Sequence, residues 1–358
     1  MVKDFKKKYL NKSDDPYFIS EIGINHNGKL KIALEMIKES RLAGFNAVKF
    51  QKRDANDMLN FGLKIPTPHG YLSKNKNDIP KKMPKFGKWV YPDVRLELKE
   101  KDYYKIKNFC KKIKIDLIVT PWDEKSVDFL SKLGVKAFKI ASIDANNFHF
   151  CNYVAKKRIP TIISTGMCTY KEIITTQKIF KKFKTPHMFL HCTSAYPSSE
   201  KDKNLSCIPV LKNLLKTDIG FSGHGKGLAG SVGAVALGAN VIEKHSTFNK
   251  KMAGPDHAAS LEFNQLSELI DLCKKVRISL GQPIKKLHNS EKVLNKILSR
   301  RLVCRSNIKK GSKFNYQNIK PALVYKNKGL KTNEFFKVLN RKVRKNLLKG
   351  HIIQKADI

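Results

Sequence analysis

The strongest constraint on this chain is a rhythm. Short apolar segments recur at residues 17–25, 47–51, 116–121, 137–142, 161–165, 188–193, 218–222 and 241–245. Amphipathic or alanine-rich stretches lie between them, at 30–43, 99–113, 124–133, 171–183 and 228–237, and another follows at 261–280. Strands that alternate with helices pair in parallel, because each helix returns the chain to the same end of the sheet. Eight such units predict a closed α/β fold, the (β/α)8 TIM barrel. One stretch argues for a different α/β fold. "GFSGHGKGLAG" contains G-x-G-x-x-G at Gly225, Gly227 and Gly230, with Glu243 further on. That is the outline of a dinucleotide-binding fingerprint. The fingerprint belongs to the first βα turn of an open sheet, and here it follows the seventh of eight segments. The glycines are read instead as permitting a tight strand-to-helix turn with backbone amides facing the barrel mouth.

Residues 53–98 break the rhythm with a Pro-, Gly-, Lys- and Asn-rich insertion. Placed after strand two, it would overhang the C-terminal mouth as a lid, with a disordered insertion as the alternative. Beyond Gly281 the pattern changes. "RSNIKKGSKFNYQNI" at 305–319 returns as "RKNLLKGHIIQKADI" at 344–358, with Arg, Asn, Gly and Ile at matching offsets. Two copies predict a small pseudo-symmetric β domain. The expected organisation is a barrel over 1–285, a connector over 286–300 and a tail domain over 301–358.

Composition narrows the partners. The 358 residues carry 71 Lys and Arg against 30 Asp and Glu, a net charge of +41. Nucleic-acid binders show such an excess, but here the lysines are spread over the whole chain, and isoleucine and asparagine are abundant too. That pattern fits a compositional bias and a solvated surface. Neither a nucleic-acid nor a membrane partner is expected, and the positive field would steer anions inward. The charged N-terminus lacks the apolar core of a secretory signal, and no run of eighteen apolar residues exists. Seven cysteines form no C-x-x-C pair, which fits free thiols in a cytoplasmic protein.

The polar residues of the strands collect where each strand ends. These are Glu21, Asn25 and His26; Lys49 and Gln51; Thr120; Lys139 and Ser142; Ser164; His191, Ser194 and Tyr196; Ser222 and His224; Glu243 and His245. In a barrel those ends face the active site. Residues two apart on a strand share a face, so Glu243 with His245, Ser222 with His224, and Lys49 with Gln51 point the same way. His224 and His245 end neighbouring strands, and two neutral imidazoles with open positions suit a divalent cation acting as a Lewis acid. Lys49 and Lys139 cannot be buried unpaired. Beside Thr120, Ser142, Ser164 and Ser222 they form a cradle for phosphate and carboxylate. The residues alone read as a metal-dependent barrel enzyme acting on a small phosphorylated acid. A divalent-metal aldolase and a polyanion-binding protein stand as alternatives.

At these positions the chain resembles the sialic acid synthase (N-acetylneuraminate synthase) family. The motifs are "EIGINHNG", "AVKFQK", "FKIASIDANN", "ISTGM", "LHCTSAYP", "GFSGHGKG", "GANVIEKHST" and "GPDHAASLE". The tail is similar to the family's C-terminal antifreeze-like (SAF) domain, a β-clip. The resemblance implies condensation of phosphoenolpyruvate with an N-acetylmannosamine-type aldose or its 6-phosphate. A nonulosonic acid and phosphate would form, with cleavage of the C–O bond. It implies a domain-swapped homodimer, and a divalent metal (Mn2+ before Mg2+ or Co2+) on His224 and His245. It places Lys49, Thr120, Lys139, Ser142, Ser164 and Ser222 around phosphoenolpyruvate. Glu21, Gln51, Tyr196, Glu243 and Asp256 would serve the sugar, the metal shell or proton transfer, with Glu21 or Glu243 as the base. Ser194 stands where bacterial members often carry Asn, and "TSAYP" is similar to the animal-type enzyme. His224 is followed by Gly225 where the animal type has Glu. No counterpart is found in the tail for the arginine that bacterial members place on the sugar.

Overall fold

A computed structural model describes residues 5–54, 66–67, 70–71, 96–324 and 328–358. The predicted lid over 53–98 therefore lies almost wholly outside the described residues. The chain divides into two compact units, Met1–Gly281 and Gln282–Ile358.

The first unit is the predicted barrel. Its strands are β1 (Tyr17–Gly23), β2 (Ala47–Lys52), β3 (Asp116–Pro121), β4 (Ala137–Ile140), β5 (Thr161–Ser164), β6 (His187–Cys192), β7 (Ile219–Gly223) and β8 (Val241–Thr247). All pair in parallel in chain order, and β8 closes on β1 with Glu21 opposite His245. The helices are α1 (Leu30–Leu42), α2 (Glu100–Ile113), α3 (Glu124–Leu133), α4 (Phe148–Lys156), α5 (Tyr170–Lys182), α6 (Cys207–Leu215), α7 (Ala229–Ala236) and α8 (Phe263–Ser279). Asp123 caps α3 by accepting from the Ser126 amide, and Thr169 with Glu172 forms a capping box on α5. Several boundaries differ from the sequence reading, and three bear on the site. Ser142 and Thr165 fall just past the ends of β4 and β5, and Ser142 opens a 3-10 turn. Residues 261–262 form a short strand, β9 (Leu261–Glu262), paired to Ser246 and Thr247, so α8 starts only at Phe263.

Period-two alternation splits the core into two shells. Phe18, Val48, Phe50, Phe138, Ile163, Phe189, Phe221 and Ile242 join the cluster that contains the helices' buried faces. Ile19, Ala47, Ile118, Ala137, Ile162, Met188, Leu190 and Val241 form a separate cluster inside the barrel. Phe5, just before a short helical turn at Lys6–Leu10, and Leu10, its last residue, belong to that inner cluster, so the charged N-terminal segment contributes two apolar plugs. The interior is thus solid below, and the polar residues sit above it.

The second unit has its own core of Leu302, Cys304, Ile308, Phe314, Ile319, Leu330, Val338, Val343, Leu347 and Ile353. It contains helix α9 (Asn289–Leu298), the antiparallel strands β10 (Arg301–Cys304) and β11 (Ile319–Ala322), and one further helical turn, α10 (Phe335–Val338). The sequence echo appears as reciprocal hydrogen bonds. Ile308 N donates to Leu347 O at 2.8 Å and Leu347 N to Ile308 O at 2.9 Å. Lys310 N donates to Asn346 Oδ1, and Lys349 N to Asn307 Oδ1, both at 2.8 Å. Gly311 and Gly350, at matching offsets, share a left-handed φ of 87° and 86°.

The inner shell leaves no slack at Gly220. A Cβ there would lie 2.5 Å from Leu190 Cδ2 and 2.5 Å from the Val241 carbonyl oxygen. Gly220→Ala is expected to destabilise the barrel by about 1–3 kcal/mol, as overpacking does. Chemical denaturation measures this, and wild-type stability would contradict the packing described.

Candidate active site

Where the apolar shell ends, two lysines and two glutamates meet inside the barrel. Glu21, Lys49, Lys139 and Glu243 are all buried. Lys49 Nζ lies 2.8 Å from Glu21 Oε2 and 3.8 Å from Glu243 Oε1, and Lys139 Nζ lies 3.8 Å from Glu243 Oε2. Lys139 also donates to Ser164 Oγ at 2.7 Å, Lys49 to Thr120 Oγ1 at 3.3 Å, and Ser222 to Glu243 Oε1 at 2.9 Å. The sequence reading gave the lysines no counter-charge but a guest. The structure supplies Glu21 and Glu243, so the cradle is electrically balanced before any anion arrives.

The environment separates the two carboxyls. Burial raises Glu21 above the ordinary range, against the pull of Lys49. Burial would raise Glu243 too, but Lys139, Lys49 and the Ser222 hydroxyl override it and hold Glu243 down at about 2. Lys139 is pulled below its usual value by burial, which Glu243 only partly offsets, whereas the two glutamates lift Lys49 despite its burial. Glu243 is therefore a fixed negative charge, and Glu21 is the carboxyl able to exchange a proton.

Above this layer lie the remaining strand-end residues. Gln51 Nε2 donates to Glu21 Oε1 at 2.9 Å, while Gln51 Oε1 accepts from Arg53 Nη2 at 3.0 Å. Gly23, where β1 slips register with φ +55°, leaves a gap. A Cβ there would lie within 3.5 Å of Glu21 Oε1, Gln51 Nε2 and Asp256 Oδ2, so these three polar side chains converge. Gly166 opens a second gap, since its Cβ would lie 2.3 Å from Ser194 Oγ and 2.7 Å from Ser142 Oγ. All the sequence-designated residues sit at the C-terminal end of the barrel.

His224 and His245 converge as expected, with ring centroids 5.5 Å apart, and the Tyr196 ring lies 4.2 Å from that of His224. Burial drops His245 to about 3, so its imidazole is neutral, and its buried Nδ1 has no hydrogen-bond partner. His224 Nδ1 lies 3.1 Å from the Thr193 carbonyl, which can only accept, so the tautomer that donates there leaves Nε2 with a lone pair. Burial alone would lower His224, but the Cys192 thiol 3.6 Å from Nδ1 holds it above its usual value. In return His224 offsets the burial of Cys192 and brings that thiol to about 7. Among the described residues no set of three or more His, Cys, Asp or Glu forms a ready-made metal cage. With His224 deprotonated, the two imidazoles fit a cation whose other positions go to water or substrate. Tyr196 is pushed well above its ordinary range by burial, so its hydroxyl stays a proton donor.

One expectation changes. Gly225, Gly227 and Gly230 adopt no left-handed backbone. Gly225 and Gly230 instead make room for Lys203, because a Cβ at either would lie 2.7–2.8 Å from that side chain. Sequence reasoning also passed over Cys192 and Arg53. Both continue period-two series already in view, Lys49–Gln51–Arg53 and Leu190–Cys192–Ser194, and that spacing could have found them.

The NeuB family matches residues 36–285. An N,N'-diacetyllegionaminic acid synthase of Legionella pneumophila is 32% identical over 93% of this chain and 92% of its own length. The human N-acetylneuraminate-9-phosphate synthase is 34% identical over 91% of this chain and 88% of its own. Among solved structures, an N-acetylneuraminic acid synthetase of Leptospira borgpetersenii superposes with a TM-score of 0.67 at 34% identity. That match covers 78% of this chain and 90% of the other.

The buried histidines set a pH dependence. Burial drops His26 to about 3 and His257 to about 4, both from 6.5. As pH falls, the unfolded chain therefore takes up these protons first. Stability is full above about pH 6.5 and is lost as pH falls towards the folded values, at up to about 1.4 kcal/mol per unit for each histidine. Tm should fall between pH 7 and pH 5. His26→Asn, which keeps an acceptor for the Gly28 amide that donates to His26 Nδ1, should flatten the fall. A Tm unchanged over that range would contradict neutral burial.

Proposed function

Because the chain belongs to the NeuB family, the sialic acid synthases, we propose that it condenses phosphoenolpyruvate with an N-acetylmannosamine-type aldose and water. The products are a nonulosonic acid and phosphate. The observation that carries this reading is the balanced layer of Lys49, Lys139, Glu21 and Glu243 facing the His224–His245 pair. Lys49 and Lys139, with Thr120, Ser142, Ser164 and Ser222, bind the carboxylate and phosphate. Gln51 and Asp256, beside the gap at Gly23, hold the aldose, with Ser194 and Tyr196 across the mouth. A divalent cation on His224 and His245, Mn2+ before Mg2+ or Co2+, would supply Lewis-acid polarisation of the aldehyde.

The chain's own groups then account for the bond changes. C3 of phosphoenolpyruvate attacks the aldehyde carbon, and the new alkoxide takes the proton that Glu21 holds. Positive charge builds at C2, and the ionised Glu243 offsets it. Water adds to C2 as Glu21 accepts its proton. The C2 hydroxyl passes its remaining proton to the phosphate as that group leaves with the bridging oxygen, so C2 becomes a carbonyl, while the two lysines hold the leaving group. We read Gln282–Ile358 as containing the family's antifreeze-like (SAF) domain and the working form as a cytoplasmic homodimer, which light scattering checks. The relatives' different products, a diacetyllegionaminic acid and a 9-phosphate, leave the aldose open to assay.

Phosphate release from phosphoenolpyruvate with Mn2+ should require an aldose. N-acetylmannosamine, its 6-phosphate and diacetamido-hexoses form the test panel, and no release with any of them would refute the proposal. Lys139→Met should lower kcat/KM for phosphoenolpyruvate about ten- to a hundred-fold, the loss of one charge-assisted bond. A change in the aldose KM alone would refute that lysine's role. With ¹⁸O in the bridging position, the label should leave in phosphate. Retention in the sugar acid would mean attack at phosphorus.

A further inference from the structure

Lys244 stands between Glu243 and His245 on β8 and points the opposite way, out of the barrel interior. It is 2% exposed. A buried ammonium is costly, and an apolar side chain of similar length would avoid that cost. Its hydrogen-bond acceptor is the carbonyl oxygen of Gly225, the residue that follows His224. One side chain thus joins the strand that carries His245 to the irregular loop that carries His224.

The same loop is gripped from two further sides. The His224 carbonyl accepts from the Ser198 amide at 3.2 Å. The Lys203 stem fills the space left by Gly225 and Gly230. The backbone of Lys203 is itself tied to β6, because its carbonyl lies 2.7 Å from His191 Nε2. These contacts leave the chain after β7 little freedom to shift His224 towards or away from His245.

We propose that Lys244 is a positioning residue that sets the separation of His224 and His245 and so presets the cation site. The inference rests on the reading of that pair as metal ligands. A site held at its working spacing binds an ion without first ordering a loop, which is the usual role of groups behind a metal's ligands.

Direct Mn2+ titration of the full chain, followed by electron paramagnetic resonance, tests this without turnover. Lys244→Met, which keeps the stem and removes the donor, should weaken Mn2+ binding about tenfold or more. Lys244→Arg, which restores a donor, should recover most of the loss. Tm is followed in parallel, since a merely structural lysine would move Tm and leave the titration where it was. His224→Ala separates the premise from the inference. If it binds Mn2+ like the wild type, the metal reading itself fails. If it loses Mn2+ while folded Lys244→Met binds normally, the positioning role alone is overturned. Should Lys244→Met not fold, Lys244→Gln serves instead, because it keeps a polar group at the buried position but is one bond too short to hold the Gly225 carbonyl. It should weaken Mn2+ binding several-fold, and unchanged affinity would overturn the proposal.

Discussion

Everything above the apolar floor of this barrel depends on four charges that cannot be separated. Lys49 bridges Glu21 and Glu243, and Lys139 faces Glu243 from the other side. Burying any one alone would cost several kcal/mol. Each strand must therefore deliver its charge at the right height and on the inner face. A one-residue slip in any of the four strands would turn a charge out among the helices and bring an apolar residue in. The pairing of Glu21 with Lys49 and of Glu243 with Ser222 across neighbouring strands meets that requirement. The layer thus specifies register as well as chemistry, and the apolar inner shell beneath it seals the other end.

The same layer explains how one site can hold two carboxyls with different duties. Glu243 has two ammoniums and a hydroxyl against it. Glu21 has one ammonium and an amide, and it is equally buried. Counting partners is enough to predict which stays charged and which trades a proton. The strongly basic composition has little to do with this. The excess charge is spread along the chain, while the layer inside the barrel sets two lysines against two glutamates.

The sequence was most legible where chemistry follows period. Alternation announced eight strands, their order and the face on which Glu21, Lys49, Lys139, Glu243, His224 and His245 lie, because a strand's spacing along the chain is its geometry. It was least legible where a contact joins distant segments of no fixed period. Lys203 ends a 3-10 turn before α6, so nothing local ties it to Gly225 and Gly230, and the glycines by themselves read as a turn. The pairing of each lysine with a glutamate was hidden for a related reason. Alternation tells that a side chain points inward, but not which inward neighbour it meets. No Gly or Pro interrupts "FKIAS", so the sequence alone carries the strand on to Ser142, yet the chain turns as soon as pairing with β5 stops at Ile140.

The tail unit carries a different lesson. Its two copies, 39 residues apart, satisfy each other's backbone. Ile308 and Leu347 exchange two hydrogen bonds, and the Asn307 and Asn346 side chains each cap a turn of the opposite copy. Neither copy is complete by itself. The unit is in effect two equivalent short segments completing each other, with Leu330 and Val338 of the stretch between them adding to the shared core. Its folding is then governed by bringing equivalent halves together. The covalent link also raises their local concentration, as a tether does for any two-part complex. A chain cut in the connecting stretch between the copies would be two fragments with a built-in affinity for each other.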